Sequence, residues 1–280
     1  MKSRRFIQCD VFTPRPIRGN ALAVVVDGEG IDDETMQAFA AWTNLAETTF
    51  ILPPEDPLAD YRLRIFTTSR EMLFAGHPTL GSCAAWLHAG GVPKEAGRVR
   101  QECAVGLVEI DLETGEHPAF VAPPTGIRPM DAETRAVIVE RLGLAPAQII
   151  DSVELDNGPV WQAFLLDSAA SVLALDATRL RFPEFRGIGF IGAHPSGQEC
   201  DYEVRMLAPS SGMSEDPITG SLNSALAHWL QSRGELDTAL RVAQGTSIGR
   251  HGRVSIQPLD SGDVLIGGQT HILIEGSLQL

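Results

Sequence analysis

HPTLGSCAAWLHAGG, residues 77–91, and DPITGSLNSALAHWLQSRG, residues 216–234, share proline, glycine and serine in one register. Each runs on as an apolar segment with a tryptophan, Trp86 or Trp229, near its end. Proline fits the first turn of a helix, where its missing N–H costs nothing. Pro78 is therefore expected at the first helical position, with His77 as the cap. The tryptophan spacing makes the second helix about one turn longer than the first. The likeness continues downstream in VRQECAVGLVEIDL (99–112) and RVAQGTSIGRHGRVSIQPL (241–259). Each holds a glutamine, Gln101 or Gln244, then Gly106 or Gly249, then an alternating strand pattern. A repeat of this length marks duplicated domains, not a solenoid.

Working outward, FIQCDVF, ALAVVVD, TTFIL and the alternating YRLRIFT read as strands in the first half. Asp32, Asp33 and Glu34 open a helix with acid in its first turn, as the helix dipole prefers, and Met36, Phe39, Ala40 and Thr43 share one face. In the second half VWQAFLLD, GIGFIGA and YEVRMLA are strands, with a polar helix start near Asp176. The proline-rich AFVAPPTGIRP, 119–129, reads as the linker. An all-round apolar helix must be covered by other elements. The expected fold is α/β (α+β): two similar domains from an internal duplication, each a mixed sheet rolled around a central apolar helix. The expected boundaries are 1–122 and 123–280, with the last strand free to cross back to the first domain.

The 280 residues carry 36 acidic against 22 basic side chains, a formal charge of −14. That balance argues against nucleic acid and anionic membranes as partners, while a small anion can still bind locally at a helix terminus. The start, MKSRRFIQCDVF, has no apolar core of a secretion signal, and no stretch reaches the length of a membrane span. Cys9, Cys83, Cys103 and Cys200 form no CxxC pair and read as small apolar residues of a reduced, cytoplasmic protein.

Two apolar helices with matched starts can face each other across a domain cleft, with His77 on one side and Asp216 and Ser221 on the other. Their first-turn N–H groups would then converge on an anion. Glu47, in NLAETTFIL, lies among Leu45, Ala46, Phe50 and Ile51. The local pattern leaves two readings of it open. One is a solvated loop glutamate. The other is a desolvated carboxylate with a raised pKa, able to take and return a proton near neutral pH. No GxGxxG follows a strand, and Walker A, HExxH and GxSxG motifs are absent. The remaining histidines, His88, His117, His194, His228, His251 and His271, have no metal-ligand spacing.

DVFTPRPIRGNALAVV, NLAETTFI, FAGHPTLG and EDPITGS followed by QGTSIGR, in this order across nearly the whole chain, resemble the phenazine-biosynthesis PhzF-like family. The resemblance implies a diaminopimelate epimerase-like fold, commonly a homodimer, with no dissociable cofactor and no metal. It implies an isomerase of the trans-2,3-dihydro-3-hydroxyanthranilate type, acting on a small carboxylate-bearing substrate. In that reading Glu47 removes and redelivers the proton, and His77 and Asp216 orient polar groups or relay protons. Ser221 and the N–H groups around Gly76 and Gly220 hold the carboxylate. The related epimerases place a cysteine at each helix start. Here those places hold Ala75 or His77 and Asp216, which argues against a two-thiol racemase. Ala46, Thr68 and Leu222 also depart from the family pattern and put the substrate in question. Two other readings compete: an epimerase of an amino-acid-like compound using non-thiol bases, and a non-catalytic carboxylate-binding protein.

Overall fold

The computed structural model describes residues 1–180, 182, 187–208 and 214–280. The chain forms two compact units, Met1–Val121 with Gly267–Leu280, and Ala122–Ile266.

In the first unit the chain order is β1 (Ser3–Val11), β2 (Asn20–Val25), α1 (Asp33–Thr43), β3 (Glu47–Leu52), β4 (Tyr61–Phe66), β5 (Glu71–Met72), α2 (Gly76–His88), β6 (Arg98–Cys103), β7 (Gly106–Asp111) and β8 (Ala119–Val121). In the second it is β9 (Gly126–Pro129), α3 (Ala132–Leu142), β10 (Ile149–Asp156), β11 (Val160–Leu166), α4 (Ala169–Leu173), β12 (Gly187–Ala193), β13 (Tyr202–Leu207), β14 (Glu215–Asp216), α5 (Gly220–Ser232), β15 (Leu240–Gln244), β16 (Gly252–Pro258) and β17 (Val264–Gly267). The closing strand, β18 (Thr270–Gln279), pairs antiparallel with β1 of the first unit.

Strand pairing shows the duplication directly. The first unit runs β18-β1-β2-β3-β4-β6-β7-β8, antiparallel except for the parallel pairs β2–β3 and β4–β6. The second runs β9-β10-β11-β12-β13-β15-β16, antiparallel except for β11–β12 and β13–β15. A parallel pair needs a long crossover. In both units the crossover of the second parallel pair is the apolar helix, α2 or α5. Helix α2 packs on β1, β2, β3, β4, β6, β8 and β18, so the sheet wraps around it. Gly81 permits that approach: a Cβ there would lie 2.5 Å from Leu22 Cδ2 and 2.9 Å from Val11 Cγ2. On the outer face Met36 and Ala40 of α1 cover Val25, Phe50, Leu52 and Phe66. In the second unit α3 and α4 cover Phe164, Ile188, Phe190 and Leu207. Strands buried on both faces read as continuous apolar runs, as ALAVVV and TTFIL do.

The structure corrects the register of the repeat. Helix α2 begins at Gly76 and α5 at Gly220, and both have 13 residues, so the second is not a turn longer. The first bonds of the two helices run from Thr79 N–H to Ala75 O and from Asn223 N–H to Thr219 O. Gly76-His77 therefore corresponds to Gly220-Ser221, and β5 to β14. Pro78–Ser82 lies inside its helix, whereas Pro217 precedes the other. His77 is not the cap; Ala75 is. The helix expected near Asp176 is α4, capped by Ser168, and Asp176 caps only a 3-10 turn, Ala177–Arg179. The 119–129 stretch contains β8 and β9: Pro123 and Pro124 lie between the two strands and Pro129 closes β9, so no proline falls in a strand interior. Helix α3 and strand β10 carried no assignment from periodicity. Cys9, Cys83 and Cys200 are buried, but Cys103 is only half-buried, and none forms a disulfide. Among the described residues no helix is long and apolar enough to cross a membrane.

Candidate active site

In the first unit the starts of β2, β3 and α2 meet. Glu47 opens β3, His77 is the second residue of α2, and the two side chains approach with His77 Nε2 3.2 Å from Glu47 Oε2. The approach is off the axis of a hydrogen bond, and Nε2 makes no aligned bond of its own. His77 is 5 % exposed, and burial pushes its pKa down to about 3, so the ring is neutral at physiological pH. Its Nδ1 faces the Nδ2 of Asn20, the first residue of β2, at 3.4 Å. The loop before Asn20 is tightly built. The Asp10 carboxylate accepts the N–H groups of Arg18 and Gly19, and a Cβ on Gly19 would lie 2.3 Å from Val11 O. Phe12 and Ile17 adopt φ of 63° and 69°. Left-handed backbone is unusual for side chains of this bulk, and such strain collects at functional loops.

Helices α1, α3 and α4 are capped by the side chains of Asp32, Asp131 and Ser168. Helices α2 and α5 start on Ala75 and Thr219 with no side-chain cap bond. Gly76 and His77 in one, and Gly220 and Ser221 in the other, thus present first-turn N–H groups where the helix dipole is positive. Thr49 Oγ1 and Ser82 Oγ, 2.8 Å apart, tie α2 to β3.

In the second unit Asp216 ends β14 and accepts a hydrogen bond from Thr219 Oγ1. The fully buried Gln244 organises this turn. Its Nε2 donates to Thr219 Oγ1 at 2.9 Å, and its Oε1 accepts from Thr219 N–H and Asn223 Nδ2. A hydroxyl that accepts from an amide and donates to a carboxylate is fixed in direction. Gln101 has the matching place in the first unit, donating to Thr79 Oγ1 at 3.1 Å and accepting from Tyr61 Oη. Asn157 Nδ2 donates to Ser221 O at 2.8 Å, so each central helix has an asparagine against its second residue. Strand β14 is held by a buried ion pair, Arg205 Nη2 to Glu215 Oε2 at 2.6 Å, with Arg205 also donating to the carbonyls of Val172 and Leu175.

Glu47, His77 and Gly76 thus lie together in the first unit, and Asp216, Gly220 and Ser221 together in the second. The repeat had marked Gln101 and Gln244 without giving them a role. Asn20, Asn157 and Thr219 were missed. The glycine before Asn20 was the available signal, since a Gly-Asn pair opening an apolar strand marks a close backbone approach. Burial pushes Cys9 and Cys83 up to about 12 and Cys200 to about 11, which keeps these thiols protonated and unreactive. Among the described residues no three His, Cys, Asp or Glu side chains are grouped to hold a metal ion.

The profile of phenazine biosynthesis-like proteins (PhzC-PhzF) matches residues 9–276. A Schizosaccharomyces pombe protein named antisense-enhancing sequence 1 is 34 % identical, with 99 % of each chain covered. The trans-2,3-dihydro-3-hydroxyanthranilate isomerase of Pseudomonas aeruginosa is 30 % identical, again over 99 % of both chains. The crystal structure of a Bacillus anthracis phenazine biosynthesis protein of the PhzF family superposes with a TM-score of 0.83 at 22 % identity, covering 100 % of both chains.

Proposed function

The chain belongs to the phenazine biosynthesis-like family and is an isomerase, and from that premise we propose that it moves a proton on a small carboxylate-bearing substrate without a cofactor, with Glu47 as the acid–base residue. The observation that carries this reading is Glu47 against a buried, neutral His77 at an uncapped helix start. Moving a proton on carbon needs a base beside the C–H bond and donors for the negative charge that develops. Glu47 supplies the first. The N–H groups of Gly76, Gly220 and Ser221 supply the second and hold the substrate carboxylate. Asp216, oriented by Thr219 and Gln244, positions polar groups of the substrate. The same reading takes the enzyme as a cytoplasmic homodimer.

The test is hydrogen exchange in deuterated water over a panel of small cyclic and acyclic carboxylic acids that includes trans-2,3-dihydro-3-hydroxyanthranilate. Wild type incorporates deuterium at one carbon of the accepted substrate. Glu47→Gln still binds it, seen by calorimetry, but loses exchange by roughly 10²-fold or more. Full exchange in Glu47→Gln removes the assignment.

A further inference from the structure

The Asn20 amide sits 2 % exposed with its NH2 end toward His77 Nδ1. An amide nitrogen can only donate. The ring nitrogen opposite it must then be the bare one, and a neutral imidazole with a bare Nδ1 carries its hydrogen on Nε2. That nitrogen is the one beside Glu47 Oε2. We propose that Asn20 is the positioning residue that holds His77 as its Nε2–H tautomer, making the ring a fixed hydrogen-bond donor beside Glu47 and not a second proton acceptor. The surroundings support a locked arrangement. Asn20 is paired in the sheet with Val11, and Asp10 pins the two residues before it. Glu47 is the carboxylate facing the ring.

The consequence is a division of labour. The carboxylate exchanges the proton, and the imidazole donates a hydrogen bond either to that carboxylate or to a substrate oxygen as it gains charge. No proton leaves His77 in the cycle. The proposal rests on the reading of Glu47 as the acid–base residue. Its test does not, because tautomers are read without turnover.

The experiment is a long-range proton–nitrogen correlation spectrum of the full chain, labelled with nitrogen-15 in its 7 histidines, at pH 7. His77 is assigned by the signals missing in His77→Gln. The expected pattern is an unprotonated Nδ1 and a protonated Nε2. Asn20→Asp puts an acceptor opposite Nδ1 and should move the hydrogen onto that nitrogen, with exchange falling by roughly 10²-fold. A protonated Nδ1 in the wild type overturns the proposal. So does a folded Asn20→Asp protein with an unchanged His77 pattern. If Asn20→Asp does not fold, the wild-type spectrum alone decides. An Nε2–H ring together with full exchange in Glu47→Gln removes the acid–base reading and leaves the tautomer assignment standing.

Discussion

The duplication has left the same ion pair in two environments, so the molecule carries its own control for the worth of burial. Arg64 on β4 pairs with Glu71 on β5 at 2.7 Å, and Arg205 on β13 pairs with Glu215 on β14 at 2.6 Å. The first pair is 20 % and 40 % exposed; the second is 4 % and 1 % exposed. An exposed pair contributes about 0–1 kcal/mol, because water and salt screen it. Removing one partner of a buried pair strands the other charge and costs about 3–5 kcal/mol. Arg205→Met strands the Glu215 carboxylate and also the Val172 and Leu175 carbonyls, which places it at the upper end of that range. For a chain of this size about 2–4 °C is lost per kcal/mol, so Arg205→Met should lower the melting temperature by roughly 10–20 °C, and Arg64→Met by less than about 4 °C. Scanning calorimetry gives the shifts. Tryptophan emission during urea unfolding assigns them, since Trp161 and Trp229 belong to the second unit and Trp42 and Trp86 to the first. Equal shifts for the two variants would refute the reasoning, because burial would then not set the cost. The pair also anchors the strand that carries Asp216, so Arg205→Met should reduce exchange activity at temperatures where it remains folded.

Gly81→Ala should destabilise by about 1–3 kcal/mol, since the new methyl meets Leu22 and Val11 inside the wrapped sheet; an unchanged urea midpoint contradicts the packing described. His77 has a pKa of about 3 when folded and an ordinary value of 6.5 when unfolded. The unfolded chain therefore binds a proton that the folded chain refuses, and stability present above pH 6.5 is lost as the pH falls toward 3. The slope well inside that window is about 1.4 kcal/mol per pH unit. His77→Gln should flatten it by that amount between pH 4 and 6 in urea titrations, and parallel curves would count against a buried neutral ring. With an aromatic disulfide reagent the native protein should expose Cys103 first, and all 4 thiols only after denaturation; equal native labelling of Cys9 or Cys83 would show that these sites open readily.

Much of the architecture was legible because it depends on local pattern. Alternating YRLRIF, the continuous run ALAVV and the acid-led start of α1 each depend on side chains within one element, and the two apolar helices announced the duplication by their composition. Glu47 and His77 were legible as candidates only, a glutamate open to two readings and a histidine at a helix start; that their side chains approach each other was not. The true register of the repeat was not. Proline, glycine and serine match in HPTLGS and DPITGS, yet a helix begins where a backbone carbonyl first accepts an N–H from four residues on. That happens at Ala75 in one copy and at Thr219 in the other. The partners of Gln101 and Gln244 were equally out of reach, because a buried amide finds its threonine only when a strand and a helix start are folded together. Asn20 shows the same limit. Sequence alone determined that ALAVVVD, which follows Asn20, is a strand. Only the tertiary structure decided that the Asn20 amide faces His77, because His77 lies 57 positions further along the chain, and β3, β4 and the start of α2 must fold before that contact exists.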